Sequence, residues 1–240
     1  MSTNSEGAAK GQSGMRRELV EAQLLERATV LFAEKGVGAV SLEDVAKSMG
    51  MRRPSLYHYV SSKEDLLARI VGSFAAGGEA VVAGVIEQDW DPPTKLRAAA
   101  RGLCLEVANG PSRFRLVLNS EGNLPSTVAA RLRASKRAVT RGITDIIAEG
   151  VDQGDFRPLD PALAALATLG MCNWIAWWYE PGANQPPEQL ADGIAEQAVR
   201  SVQRYDGPPR HDGDPHAVLE ALRADVDTLE QILRKRSAAR

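Results

Sequence analysis

Between Lys47 and Lys63 the chain carries Lys47, Arg52, Arg53 and Lys63 and no acidic residue, with Ser55, Tyr57, His58 and Tyr59 set among them. Ammonium and guanidinium groups neutralise phosphates, and hydroxyl, imidazole and phenol groups reach phosphate oxygens or base edges. This is the chemistry of a nucleic-acid reader. It must be a local patch, because the whole chain has a formal charge of −2 and is no polycation. Enzyme chemistry is not indicated. No Ser/His/acid, Cys/His, metal-ligand or phosphate-loop arrangement is present, and neither a cofactor nor a metal is expected. His58 lies inside the basic segment, and His211 and His216 surround a Gly/Pro stretch. Cys104 and Cys172 are far apart in sequence and in apolar surroundings, so they read as buried, reduced thiols.

Those residues need elements to hold them. Leu24, Leu25, Ala28, Leu31 and Phe32 fall on one face of a helix that Gly36 ends. Ser41 and Asp44 have capping-box spacing, with Val40 and Val45 placed as a hydrophobic staple, and Gly50 stops this second helix. Arg53 precedes proline and is biased away from helix, which makes Pro54 the expected first residue of a third helix through Tyr59, with Leu56 pointing inward. Ser61 and Ser62, with Glu64 and Asp65, offer overlapping capping boxes for a long fourth helix through Leu66, Leu67, Ile70, Val71 and Phe74. Two short helices joined by a glycine turn, the second one basic, form a helix-turn-helix over residues 41–60. The second helix must enter a major groove about 12 Å wide while the first braces it. Taken alone, the same residues also suit a helical hairpin with a solvated basic face.

The segment resembles the TetR family of bacterial regulators. The resemblance rests on Ala33-Glu34-Lys35-Gly36, Ser41-Leu42-Glu43-Asp44-Val45-Ala46, Gly50-Met51 and Ser55 through Leu67, and covers about residues 24–67. It implies that Arg52, Arg53, Pro54 and Ser55 open the recognition helix. Tyr57, His58 and Tyr59 would form its body, and Lys63 would start the fourth helix against a phosphate. Two residues depart from the family pattern. Arg52 stands where a Ser or Thr cap is usual, so the pre-proline geometry of Arg53 is expected to set the helix start. Val60 stands where Phe is usual and leaves a smaller plug.

Beyond residue 91 the pattern is a series of amphipathic helices, near 94–109, 112–119, 126–153, 161–179 and 187–205, separated by Gly/Pro breaks. The fold class is therefore all-α: a three-helix DNA-binding head followed by a helical ligand-binding and dimerisation domain. The expected organisation is a disordered arm over 1–15, the head over 16–62, the ligand domain over 63–205, a linker over 206–214 and a terminal heptad helix over 215–240. That last helix carries Leu219, Leu222, Val226, Leu229 and Leu233. Residues 170–182 hold three of the four tryptophans together with Asn173. An aromatic stripe at this spacing suits a core, a pocket wall or a dimer face, and an amide among aromatics must find a partner. The segment is similar to the corresponding helix of TetR-type regulators that answer to acyl-coenzyme A thioesters. That resemblance implies an effector site including Phe114, Asn119, Met171, Asn173, Trp174 and Trp177. Arg131, Arg133, Lys136, Arg137 and Arg141 read as a solvated face that would also suit ligand phosphates.

The expected partners are a double-stranded palindromic operator, a small-molecule effector and a second copy of the chain. One helix-turn-helix reads too little sequence, and two about 34 Å apart match a palindrome. No apolar run long enough to span a bilayer is expected, nor a secretory signal, which implies a cytoplasmic protein. An architectural DNA-binding protein without an effector is the other reading, and an interaction adaptor built on the terminal heptads is a third.

Overall fold

A stretch without proline opens the fold as α1 (Ser5–Lys35), 31 residues long. The structure, a computed structural model, describes residues 5–182 and 185–204 and positions 216, 219, 220, 222, 223 and 226. From Ser5 onwards the arm expected over 1–15 is helical. Its glycines weaken a helix but do not end one, and Ala8, Ala9, Lys10 and Gln12 favour it. Gly36, at φ +83°, then turns the chain out of α1.

The elements that follow are α2 (Leu42–Ser48), α3 (Arg53–Leu56), α4 (Lys63–Ile86), α5 (Pro92–Ala108) and α6 (Pro111–Ser120). Next come α7 (Ser126–Gln153), α8 (Pro161–Trp178) and α9 (Pro187–Val202). No strand occurs among the described residues, so the chain is all-α there, with one isolated bridge between Phe156 and Gln203. Proline enters the first turn of α5, α6, α8 and α9, where its missing N–H is no loss. The Asp91 and Asp160 side chains accept from the first N–H groups of α5 and α8.

Two cores form. The first joins Leu24, Ala28 and Phe32 of α1 to Val45, Leu56, Val60 and the start of α4, and Leu116, Val117 and Leu132 from α6 and α7 complete it. The head is therefore not closed by its own helices: three side chains from the following domain finish its core. The second core packs α5, α7, α8 and α9 around Leu96, Ile143, Ile147, Ile175 and Ala195. Among its members are Cys104 and Cys172, both free and buried. They are neighbours in the fold. The hydrogen bond to Cys104, and burial after it, push the Cys172 thiol up and keep it protonated.

α4 belongs to both cores, with Leu66, Leu67, Ile70 and Val71 in the first and Val82 and Val85 in the second. By length and composition it is apolar enough to cross a membrane, contrary to the expectation that no such run exists. Its alanines and valines raise its hydropathy, and Leu66, Leu67, Ile70, Val71, Val82 and Val85 are buried in the two cores, while Ile86 at its end is exposed.

Contacts divide the chain into Met1–Gln203 and Arg204–Arg240. In the second unit the described positions from 216 onwards are helical, and Leu219, Leu222 and Val226 are about half exposed. Leu229 and Leu233 of the expected heptad lie outside the described residues.

Candidate nucleic-acid interface and effector cavity

The head is built on two caps and a glycine. Asp44 N–H donates to Ser41 Oγ at 3.2 Å, and Ser41 N–H donates back to Asp44 Oδ2 at 2.9 Å. Hydrogen bonds from the Ser41 side chain and backbone hold the Asp44 carboxyl below its ordinary range. α2 then ends at Gly50, whose φ of +65° lets Met51 N–H bond back to the Ala46 carbonyl at 2.9 Å. The Ser62 hydroxyl caps α4 by accepting from Asp65 N–H at 3.0 Å. Asp65 in turn accepts from Ser61 N–H at 2.9 Å and from Arg69 Nε at 2.9 Å. Arg69 also reaches Glu21, which ties α4 to α1.

The recognition segment differs from expectation at both ends. Arg53, not Pro54, is the first helical residue of α3, and Arg52 takes the cap position in extended backbone without a side-chain cap. A residue before proline is only biased against helix, and at the first position it has no preceding turn to fit. Helix α3 ends at Leu56, so Tyr57, His58 and Tyr59 lie in the tight turns that follow. Leu56 and Val60 anchor this segment, both essentially buried, so the smaller Val60 is still a core residue. Arg52, Arg53, Pro54, Tyr57 and His58 are exposed. Arg53 lies 5.8 Å over the Tyr57 ring and donates to the Tyr57 hydroxyl at 3.2 Å. Lys47 is exposed beside Glu43 at 3.1 Å. The Lys63 ammonium donates to the Val37 carbonyl at 2.9 Å, linking the start of α4 to the turn after α1. Arg17, on the first half of α1, donates to the His58 carbonyl at 3.4 Å and joins the same exposed face.

A second site lies in the following domain. A cavity of about 370 Å³ is walled by Phe74 and Gly78 of α4, Leu103 and Val107 of α5, Phe114 and Leu118 of α6, Lys136 and Thr140 of α7 and Asn173 of α8. Phe74 and Phe114 meet edge to face at 5.4 Å. The Asn173 side chain makes no hydrogen bond to any described residue.

Comparison with known proteins agrees with this plan. Residues 24–70 match the model described as "Bacterial regulatory proteins, tetR family", and residues 89–202 match "Tetracyclin repressor-like, C-terminal domain". The solved structure of the TetR-family regulator PfmR from Thermus thermophilus is 30% identical, with a TM-score of 0.68, over 75% of this chain and 99% of that one. The chain belongs to the TetR family. It is a DNA-binding transcriptional regulator and not an enzyme. Among TetR-family relatives, the repressor KstR2 of Mycobacterium tuberculosis is 25% identical over 183 residues, 75% of this chain and 89% of KstR2. AibR, solved with isovaleryl coenzyme A and operator DNA, is 28% identical with a TM-score of 0.63 over 74% of this chain and 96% of that one.

The TetR-family effector residues expected from sequence do not all meet. Phe114 and Asn173 line the cavity. Trp177 touches Phe114 edge to face at 5.9 Å but itself lines a separate groove between α1, α4 and α6. Asn119 lines another hollow beside the end of α1. Met171 packs against the second core, and Trp174 is 63% exposed. Successive helical residues turn by about 100°, so neighbours of Asn173 in sequence face elsewhere. Phe74, Leu103 and Thr140 are cavity residues that sequence reasoning missed, because no spacing rule links α4, α5 and α7; Lys136, read from sequence as part of a basic face, also lines the cavity. Arg17 was missed for the same reason: it lies 41 residues from the carbonyl it meets.

Proposed function

We propose that this TetR-family regulator is a cytoplasmic repressor that holds a palindromic operator as a homodimer. It leaves the operator when a small apolar ligand, such as a coenzyme A thioester or another hydrophobic acid derivative, fills the cavity between α4 and α8. One observation carries the reading. Phe74 and Gly78 wall the cavity, and they stand on the helix whose first turns, Leu66 to Val71, are packed in the DNA-binding head. A ligand pressing on that wall displaces a helix that both cores hold, and the spacing of the two recognition segments changes with it.

On the operator, Arg52, Arg53, Pro54 and Ser55 enter the groove, and Tyr57, His58 and Tyr59 contact phosphates and flanking bases. Lys47 and Lys63 serve phosphates. Lys63 does so with the N–H groups left over from its bond to Val37. Arg17 adds a cation from α1 to the same surface. In the cavity, the unbonded Asn173 amide meets a carbonyl or carboxyl of the ligand, and Phe74 and Phe114 cover its apolar part.

The dimer forms through the outer face of α8. Leu163, Leu166, Trp174, Trp177 and Trp178 are all exposed there, a continuous apolar stripe that a lone chain has no reason to leave bare. The relatives support the repressor and the ligand class: KstR2 is named a repressor, and AibR was solved with a coenzyme A thioester. The cavity weighs against an architectural protein without an effector. Operator affinity measured during titration with acyl-coenzyme A thioesters tests the reading. A fall matching a coupling of about 1–3 kcal/mol is expected. A ligand that fills the cavity and leaves operator binding unchanged would prove the mechanism wrong.

A further inference from the structure

The basic cluster on α7 splits in two. Arg131 forms a two-pronged pair with Glu79 at 2.5 and 2.7 Å, and Lys136 pairs with Glu121 at 2.5 Å. Arg133, Arg137 and Arg141 are exposed, and none of them makes an ion pair or hydrogen bond among the described residues. At four-residue spacing they form a row about 12 Å long on one side of the helix. Ala134 and Ala138 flank the row, and the exposed Asp145 follows it four residues beyond Arg141.

That row borders the effector cavity. Lys136 and Thr140 wall the cavity from the same helix. With about 100° per residue, Arg133 lies roughly 20° around the helix from Thr140, and Arg137 about 60°. On the far wall, Gly170 of α8 is a cavity residue that is also exposed, so the cavity opens between α7 and α8. The space of about 370 Å³ is at the small end of ligand sites, which run from about 300 to 1,000 Å³. It suits an acyl chain and not a nucleotide.

We propose that Arg133, Arg137 and Arg141 form a phosphate-binding rail outside the effector cavity, which holds the polyphosphate end of an amphipathic ligand whose apolar end lies inside. The inference rests on the coenzyme A thioester reading of the cavity and adds the residues that would select a phosphorylated carrier over a free acid. Guanidinium groups suit this role because each presents several donors in a fixed plane to phosphate oxygens.

The experiment measures binding of isovaleryl- and octanoyl-coenzyme A to the full-length protein, and to R133A/R137A/R141A, by calorimetry at two salt concentrations. N-acetylcysteamine thioesters of the same acids are the phosphate-free probes. The triple variant is expected to bind both coenzyme A thioesters at least tenfold more weakly and to lose most of the salt dependence. Its affinity for the phosphate-free thioesters and for operator DNA should equal that of the parent. Unchanged affinity of the variant for the coenzyme A thioesters overturns the rail and leaves the cavity reading standing. Failure of the parent to bind any of these coenzyme A thioesters overturns the ligand reading and the rail with it.

Discussion

Arg53 and Tyr57 are the side chains on which the DNA reading turns. Each orients the other, through the cation–ring contact and the hydroxyl hydrogen bond, while Leu56 below them is locked in the head core. Arg53→Ala is expected to lose about 1–3 kcal/mol of specific operator affinity. Tyr57→Ala should show a similar loss, because it frees the Arg53 guanidinium. Fluorescence anisotropy with labelled duplex measures both, and sedimentation shows whether the dimer persists. Full affinity in both variants would remove α3 from the interface. Arg17 makes a different prediction. As a phosphate contact, its removal weakens specific and random duplexes alike and lowers the salt slope by about one. An unchanged slope in Arg17→Ala would reduce its role to holding the His58 turn. The chemistry of the exposed basic segment was legible in the sequence, since no acid interrupts it. The place of Arg17 was not, because its contact joins two distant parts of the chain.

At the scale of the element, α4 is the member whose start and packing matter most. Arg69 first, and then Ser61, hold the Asp65 carboxyl below its ordinary range. A carboxyl with a native pKa below its unfolded value of about 3.9 stabilises the fold above that pH, and the contribution fades as pH falls through the native pKa. Asp65→Asn should therefore lower stability near neutrality by about 1 kcal/mol and flatten the acid limb of the stability profile. Thermal melts between pH 2 and pH 7, about the range over which carboxylates titrate, would show this. An acid limb identical to that of the parent would count against it. Further along, α4 approaches α7 so closely that a Cβ at Gly142 would lie 2.3 Å from Val82 Cγ1. Gly142→Ala is expected to cost about 1–3 kcal/mol by overpacking. Adding Val82→Ala should recover part of that loss in urea titrations. Element boundaries followed the Gly/Pro breaks well, but the sequence pattern could not show that the third helix stops at Leu56. Side-chain period does not reveal where backbone bonds loosen.

For the whole molecule the decisive feature is the outer face of α8. A helix that is apolar on every side needs neighbours on every side. The chain supplies them for Ala165, Cys172 and Ile175, but not for Leu163, Leu166 and Trp174. Leu166→Glu with Trp174→Glu should convert the dimer to a folded monomer in analytical ultracentrifugation, because neither side chain is buried within one chain. Specific operator binding should fall with it, since one head reads only half of a palindrome. A double variant that stays dimeric would move the interface elsewhere.

Local signals were enough for the all-α class, the capping of α2 and α4, the glycine turn and the acid-free basic segment. Each of these depends on residues a few positions apart, whose geometry the backbone dictates. Only the tertiary structure decided which side chains share a space. It showed that the head borrows Leu116, Val117 and Leu132, and that Phe114 and Asn173 meet across a cavity while Asn119, Met171 and Trp174 do not. It also separated the paired Arg131 and Lys136 from the unpaired arginines of α7. Packing between helices depends on rotation and depth, quantities that a one-dimensional pattern carries for each helix alone and not for the contacts between them.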